Sequence, residues 1–180
     1  MGTRHIIKVR KNGKDWISQY GQWDGYPTGQ GIDVMEFVRN ESYLTWLGRH
    51  IDQGYIVPIT PDKMQGYIDR LLAFAGKDED MITIIEQMFT TSVFCRDAGA
   101  KCLMMYAKRL SRSLAVINEP SGWEEYMYTI DYDKEIVTVQ ELGEDAHEPK
   151  VYTFKEIQGW DCMGADVEME RLEDEWKRKE

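Results

Sequence analysis

Residues 5–20 read HIIKVRKNGKDWISQY, and this stretch decides how the fold begins. Its two β-prone halves flank Asn12-Gly13, a residue pair that accepts the positive φ angles of a two-residue hairpin turn. Because a two-residue turn fixes the strand register, the sequence predicts that Val9 faces Trp16. One side of this hairpin is predicted to meet the core, and it carries His5, Ile7, Val9, Trp16 and Tyr20.

The residues that follow the first strand pair, 19–31, read QYGQWDGYPTGQG and combine four glycines with aromatic and amide side chains. Glycines at this density let the main chain approach a partner closely, while the amides and rings offer hydrogen bonds and stacking faces. Two interpretations stay open: a recognition loop, or a structural Ω-like loop whose rings close the end of the core. The candidate binding residues are Gln19, Gln22, Trp23, Tyr26 and Gln30.

The middle of the chain has apolar residues at helical spacing. It predicts helices near residues 32–38, 43–51, 60–76, 81–89 and 97–113. The last of these is predicted to carry Cys102, Leu103, Tyr106 and Leu110 on its apolar face. A second hairpin is predicted over residues 125–142, followed by a short strand at 150–154.

Strands near both ends of the sequence, with helices between them, predict an α+β fold rather than a doubly wound parallel fold. We expect an antiparallel sheet made from the N- and C-terminal hairpins and covered by the central helices. Residues 1–164 are predicted to form a single domain. Residues 165–180 are predicted to be a charged C-terminal helix or tail, only marginally helical because its apolar residues are sparse.

The bulk properties limit the classes of protein. At 180 residues and 42% hydrophobic content, the chain supports one core of ordinary size. It has no stretch of about eighteen apolar residues and no basic-then-apolar start, so we expect a cytoplasmic protein without a membrane span. The three cysteines and three histidines lack the spacing of a zinc site or a redox pair, and no cofactor or metal is expected.

The formal net charge of −10 is unevenly distributed. Residues 1–118 carry a net charge of +2, residues 119–148 carry −9, and the remainder carries −3. Such an acidic block attracts basic surfaces, and carboxylates spaced along a hairpin imitate the phosphates of a nucleic acid. The alternative is a solvated face that favours solubility. The candidate contact residues of the block are Glu124, Glu125, Asp131, Asp133 and Glu135.

Enzymatic interpretations have less support, because the sequence has no phosphate-binding loop, no nucleophile elbow and no paired-histidine zinc motif. One alternative is a small-molecule-binding or hydrolytic pocket at the glycine loop, in which Asp24 acts together with His5 and Arg4. A carboxylate between Trp23 and Tyr26 could have a raised pKa suited to acid–base chemistry. Asp before Gly is also the usual turn pair.

Two further sites remain as alternatives. Asp131 and Asp133 lie two residues apart and could share a cation, although a solvent-facing hairpin tip also explains them. Direct contact with nucleic acid is the other, through the basic cluster of Lys101, Lys108, Arg109 and Arg112, although the overall charge argues against it.

The opening residues MGTRH and the motif QYGQWDGYP-x-GQG resemble those of a family of small bacteriophage and prophage proteins, with more distant similarity in fungi. Residues 126–133 are also similar to that family's C-terminal strand pair. The resemblance implies that the protein comes from a mobile element and acts in a bacterial host cell. It implies no particular reaction. Small acidic phage proteins often bind host defence machinery, as anti-CRISPR proteins do. The leading hypothesis is therefore an inhibitory binding protein for a host effector with a basic groove, with a CRISPR nuclease as the first candidate.

Overall fold

The computed structural model describes residues 2–90 and 96–178 of the chain. A π-helical turn spans Pro27–Gly31. In chain order, the strands and α-helices are β1 (His5–Lys11), β2 (Lys14–Gly21), α1 (Ile32–Arg39), α2 (Glu41–Asp52), β3 (Ile56–Ile59), α3 (Pro61–Ala75), α4 (Glu79–Thr90), α5 (Lys101–Lys108), β4 (Ser113–Val116), β5 (Tyr126–Asp131), β6 (Ile136–Glu141), β7 (Lys150–Thr153), α6 (Phe154–Gln158) and α7 (Gly164–Lys177).

The central sheet has five strands in the order β2–β1–β5–β6–β7, and the predicted α+β class is confirmed. Both predicted hairpins form, as β1–β2 and β5–β6. The strands that join the two hairpins, β1 and β5, run parallel, so the sheet is mostly antiparallel with one parallel pair. Parallel neighbours require a long connection. The central helices supply it here.

Two short strands, β3 and β4, are missing from the sequence-based prediction. They pair in parallel, and Ile117 just beyond β4 bridges Ser18 of β2, so this small sheet continues the edge of the large one. The prediction of a helix over residues 97–113 is wrong at both ends, because α5 begins only at Lys101. It ends at Lys108, and Leu110 is exposed instead of lying on an apolar face.

The predicted register of the first hairpin is wrong beyond its turn. The pairing slips by one residue at a β-bulge, and Val9 pairs with Ile17 instead of Trp16. The indole of Trp16 donates a hydrogen bond to the carbonyl oxygen of Lys11 at 2.9 Å. Because a bulge adds one residue to one strand, each side chain beyond it lies on the opposite face of the sheet from the one expected without the bulge. Tyr20 consequently lies on the face opposite to the one predicted.

The core lies between the helices and one face of the sheet, which we call the inner face. The buried inner-face side chains are Ile7, Val9, Ile17, Tyr128, Ile130, Val137, Val139 and Tyr152. Helix α7 is not marginal, because Met169, Leu172 and Trp176 are buried in this same core. Three apolar residues at helical spacing are enough to fix a helix that is otherwise densely charged.

Strand register places the strand ends at two opposite edges of the sheet. At the edge that we call the upper edge, His5 pairs with both Gly21 and Tyr126, and Tyr126 pairs with Glu141. The lower edge holds the turns of both hairpins. Strand β5 has six residues, and at about 3.3 Å per residue the two edges lie roughly 17–20 Å apart.

Candidate functional site

Four segments meet at the upper edge: residues 2–4, the glycine loop (residues 19–31), the Trp123 loop (residues 118–125) and the β6–β7 loop (residues 142–149). The main chain of Gly25 donates to Thr3 at 3.1 Å. The main chain of Glu125 donates to Arg4 at 2.9 Å and accepts from Leu142 at 2.8 Å. The glycine loop and the start of the acidic block, which are far apart in sequence, are therefore neighbours.

Close packing explains the glycine loop. Gly21 lies against the ring of His5, and a Cβ atom at this position would lie 2.2 Å from the nearest ring carbon. From inside the core, the hydroxyl of Tyr128 donates to the carbonyl oxygen of Gly25 at 2.6 Å. Such contacts leave little space between the loop and the sheet. They favour the Ω-like interpretation of this segment.

Two of the candidate glutamines use their amides inside the protein. The Gln30 amide oxygen accepts from the main chain of Ala100 at 2.7 Å. The Gln19 side chain is buried, and its amide nitrogen donates to the main-chain carbonyl of the next residue at 3.1 Å. Gln22 is anchored through its main-chain N–H, which donates to the carbonyl oxygen of Arg96 at 3.1 Å. These bonds hold the loop in place.

Both candidate aromatic residues of the glycine loop are tethered to carboxylates. The Trp23 indole donates to Asp97 at 2.8 Å, while about half of the side chain is exposed. The Tyr26 hydroxyl donates to Asp24 at 3.2 Å. This hydrogen bond and the charge of Asp24 raise the pKa of Tyr26. The loop therefore presents one half-exposed indole to solvent.

The residues of the hydrolytic alternative have different surroundings in the structure. His5 is buried, and neither ring nitrogen has a hydrogen-bond partner among the described residues. Burial lowers its pKa to about 4, against the opposing charge of Asp24 and the main chain of Thr3, so the imidazole is neutral at physiological pH. Asp24 is exposed and has a φ of 53°, which fits a turn. The guanidinium of Arg4 lies elsewhere, 5.9 Å from the centre of the Trp123 ring.

Glu124 braces the Trp123 loop from within. Its carboxylate accepts from the N–H and the hydroxyl of Ser121 at 2.9 and 2.8 Å, and from the N–H of Gly122 at 3.1 Å. Burial alone would raise the pKa of Glu124, but these hydrogen bonds outweigh it and lower the pKa. At the start of the loop, Asn118 donates its N–H to the carbonyl oxygen of Ser18 at 2.9 Å. The loop is thus fixed at both ends.

Trp123 is the functional candidate that the sequence analysis missed. Its side chain is 70% exposed at the tip of the braced loop. It borders an open cavity of about 520 Å³ that Arg4 and Tyr20 also line. The remaining lining residues are Asn118, Glu119, Ser121 and Glu124. A signal was available, because residues 120–123 read PSGW, and a tryptophan directly after three turn-forming residues is typical of a loop tip.

The other acidic candidates are divided between the two edges. Glu125 is exposed at the upper edge, where its carboxylate accepts from the N–H of Arg4 at 3.2 Å. Asp131, Asp133 and Glu135 belong to the lower edge. Glu135 is exposed there. The acidic hairpin therefore does not present its carboxylates as a single row.

Asp131 and Asp133 satisfy main-chain donors. Asp131 accepts from the N–H groups of Asp133 and Lys134 at 2.9 and 3.1 Å. Asp133 accepts from Gly13 and Asn12, both at 2.7 Å, which joins the two hairpin turns. These two bonds lower the pKa of Asp133. Within residues 2–90 and 96–178, no group of three or more His, Cys, Asp or Glu side chains is placed to hold a metal ion.

The β6–β7 loop brings further carboxylates to the upper edge. The ring of Trp176 in α7 stacks on His147 with centroids 5.6 Å apart, and on Tyr126 at 6.2 Å. A hydrogen bond of 2.6 Å joins His147 to Glu141, which fixes the loop against the sheet. The exposed carboxylates of the Trp123 and β6–β7 loops, which we call the acidic rim, are Glu119, Glu125, Glu144, Asp145 and Glu148.

Three residues of the basic cluster, which lie in or just after α5, contact other parts of the protein. The Lys108 ammonium lies 5.1 Å from the centre of the Tyr43 ring. Arg109 donates to the hydroxyl of Ser113 at 3.4 Å, and Arg112 donates to the carbonyl oxygen of Gly54 at 3.4 Å. These side chains do not border the cavity beside Trp123.

The cysteines do not form a reactive pair in the described residues. Cys102 is buried, and burial raises its pKa to about 12, whereas Cys162 is exposed. Cys95 lies outside the described residues. In the part of the chain that the structure describes, none of the helices has the length and apolar character needed to cross a membrane.

Comparison of the chain with protein-family models, with curated proteins and with solved structures finds no match.

Proposed function

We propose that this protein is an acidic binding protein that docks onto the basic surface of a protein that handles nucleic acid. The observation that carries the proposal is the braced Trp123 loop, which holds an exposed indole beside exposed carboxylates. Binding through such a surface requires no catalysis and no cofactor.

Trp123 is proposed as the central contact. Trp, Tyr and Arg are the residue types most enriched among interface residues that dominate binding energy. The cavity of about 520 Å³ unites one of each, namely Trp123, Tyr20 and Arg4. Because Glu124 fixes the loop before any partner arrives, association loses little conformational entropy there.

The acidic rim is proposed to steer the encounter and to compete with nucleic acid. Its five carboxylates lie on the loops that flank or adjoin Trp123, and Leu142 of the β6–β7 loop bonds to Glu125 of the Trp123 loop. Carboxylates attract the Lys and Arg side chains that otherwise bind phosphates, and they speed association at low salt. Occupation of a basic groove by this surface would exclude the nucleic acid, so binding would inhibit the partner.

The partner to test first follows from the resemblance of the N-terminal and glycine-loop motifs to phage proteins. Phage proteins act inside bacterial cells, where CRISPR nucleases carry long basic grooves for nucleic acid. The function of an anti-CRISPR-like inhibitor would account for the acidic charge, the exposed Trp123 and the phage-like sequence motif together. Other bacterial effectors with a basic groove are the next candidates.

The experiment compares the wild-type protein with Trp123→Ala and with the control Trp46→Ala, whose side chain is 44% exposed on α2. Each tagged protein is used to capture partners from nuclease-treated bacterial lysate and is then titrated against purified CRISPR effectors. We expect Trp123→Ala to weaken binding by at least about tenfold, which corresponds to about 1.4 kcal/mol. The Trp46→Ala protein should bind like the wild type. Equal affinity of all three proteins would refute Trp123 as the anchor.

A further inference from the structure

The outer edge of β2 is open at Tyr20. The direction of the Tyr20 N–H and carbonyl groups follows from the alternation of main-chain hydrogen bonds along β1. Arg4 and Arg10 of the β1 segment accept from Tyr126 and Tyr132 across the parallel pair, at 3.2 and 2.9 Å. The even-numbered residues of β1 therefore point to β5 and the odd-numbered ones point to β2. Since Tyr20 is paired with the even-numbered Ile6, its N–H and carbonyl groups point away from β1.

The small sheet covers this outer edge only in part. The carbonyl oxygen of Ser18 accepts from Asn118, and Ser18 bridges Ile117. Beyond Asn118 the chain continues through Pro120 into the Trp123 loop, which contains no β-strand. The Tyr20 carbonyl accepts from the Gln19 amide, whereas the Tyr20 N–H has no hydrogen-bond partner among the described residues. An unpaired donor on a strand edge is a point at which another strand can add.

The Tyr20 edge faces two adjoining cavities. The cavity of about 520 Å³ beside Trp123 and a second one of about 250 Å³ share Tyr20 and Asn118 as lining residues. The second cavity is lined on its apolar side by Met64 and Ile68 of α3 and by Val116 of β4. We call these two neighbouring cavities the trough; Trp123 lines the first and α3 lines the second. The cavity of about 520 Å³ alone has the size of an ordinary ligand site.

The charges that line the trough balance one another. Arg4 and Arg96 stand against Glu119 and Glu124. A nucleic acid would require an excess of positive charge, and a basic segment would require an excess of negative charge. A main-chain donor beside apolar side chains is instead suited to an extended peptide, which supplies a carbonyl to the strand edge and a side chain to the pocket.

We infer that this trough binds an extended peptide segment of a partner protein. A main-chain carbonyl of the segment accepts from the Tyr20 N–H, and a bulky apolar side chain enters between Met64, Ile68 and Val116. The inference rests on the proposed function, because it identifies the part of the partner that lies beside Trp123 while the acidic rim contacts the partner's basic surface.

The test uses a displayed library of linear dodecapeptides as the probe, with binding of the selected peptide measured by fluorescence polarisation. Tyr20→Pro removes the outward N–H and leaves the β1–β2 ladder intact, since that N–H takes no part in it. Tyr20→Val is the matched control, because it also removes the ring but keeps the donor. We expect selected peptides to carry a bulky apolar residue at a fixed position, and Tyr20→Pro to bind at least about tenfold more weakly than Tyr20→Val.

A second variant keeps the inference testable if Tyr20→Pro does not fold. Ile68→Trp fills the apolar end of the trough from the half-buried face of α3 and should weaken binding of the same peptide to a similar degree. Selection of no peptide, or equal affinity for the wild type and the folded variants, would overturn the inference. Capture of an effector that survives Tyr20→Pro and Ile68→Trp would leave the proposed function standing without the trough. Loss of effector binding in Trp123→Ala is a separate readout.

Discussion

At the residue scale, His5 shows how burial decides the chemistry of a side chain. In the sequence it is a candidate partner for Asp24 in an acid–base site. In the fold its ring lies against Gly21, and burial lowers its pKa to about 4 from the ordinary value of 6.5. A buried histidine that stays neutral behaves as a packing residue. It also makes the folded state sensitive to acid.

His5 should reduce stability on acidification. Between about pH 6.5 and pH 4 the unfolded chain binds a proton at His5 and the folded protein does not. The contribution of neutral His5 to the free energy of unfolding is therefore fully present above pH 6.5 and is lost as the pH falls toward 4. A pKa difference of this size corresponds to about 3 kcal/mol. Urea unfolding of wild type and His5→Phe at pH 7.5 and 4.5 measures it.

His5→Phe should lose less stability than the wild type between these two pH values, because phenylalanine fills a similar space and takes up no proton. Carboxylates titrate in both proteins and cancel in the comparison. An identical loss in the two proteins would show that His5 is already accessible to protons in the folded state.

At the element scale, local chemistry was predictable and long-range pairing was not. The Asn12-Gly13 turn specified the first hairpin, but no periodicity encodes the bulge at Trp16, where the indole bonds to Lys11. The parallel β1–β5 pair joins segments more than a hundred residues apart. Strands β3 and β4 have four residues each, which is too short for alternation to distinguish them from a loop or a helix end.

The candidate site was predictable to the same degree. The glycine loop and the acidic block were found as separate segments, but their meeting at the upper edge depends on the register of β1 against β5. Which carboxylates remain free depends on main-chain donors from elsewhere in the chain. Asp133, for example, accepts hydrogen bonds from the first hairpin turn, and Glu124 accepts them from its own loop. A sequence does not show these donors.

The brace of the Trp123 loop gives a prediction at this scale. Glu124→Ala should expose the N–H groups of Ser121 and Gly122 to faster hydrogen exchange and lower the free energy of unfolding by about 1–2 kcal/mol. Glu119→Ala, an exposed carboxylate of the same loop, is the control and should leave both quantities unchanged. Hydrogen exchange followed by NMR measures the two amides directly. Unchanged protection of Ser121 and Gly122 in Glu124→Ala would mean that other contacts fix the loop.

At the scale of the whole molecule, the two edges of the sheet have different roles. The polar groups at the lower edge contact one another, because Asp133 joins the hairpin turns and Lys11 forms a salt bridge with Asp52. The upper edge collects the glycine loop, the Trp123 loop and the β6–β7 loop, and it carries the acidic rim. The central claim is that this upper edge is the surface that binds a basic partner.

The most direct test measures affinity for the captured effector at roughly 50 and 500 mM salt in three proteins. These are the wild type, the upper-edge variant Glu119→Lys/Asp145→Lys, and the lower-edge control Glu41→Lys/Glu135→Lys, whose residues line a cavity at the opposite edge. Both variants change the net charge equally. The wild type and the lower-edge control should each lose at least about tenfold in affinity at high salt, while the upper-edge variant binds weakly at both salt concentrations. Salt-insensitive binding, or equal losses in the two variants, would contradict the claim.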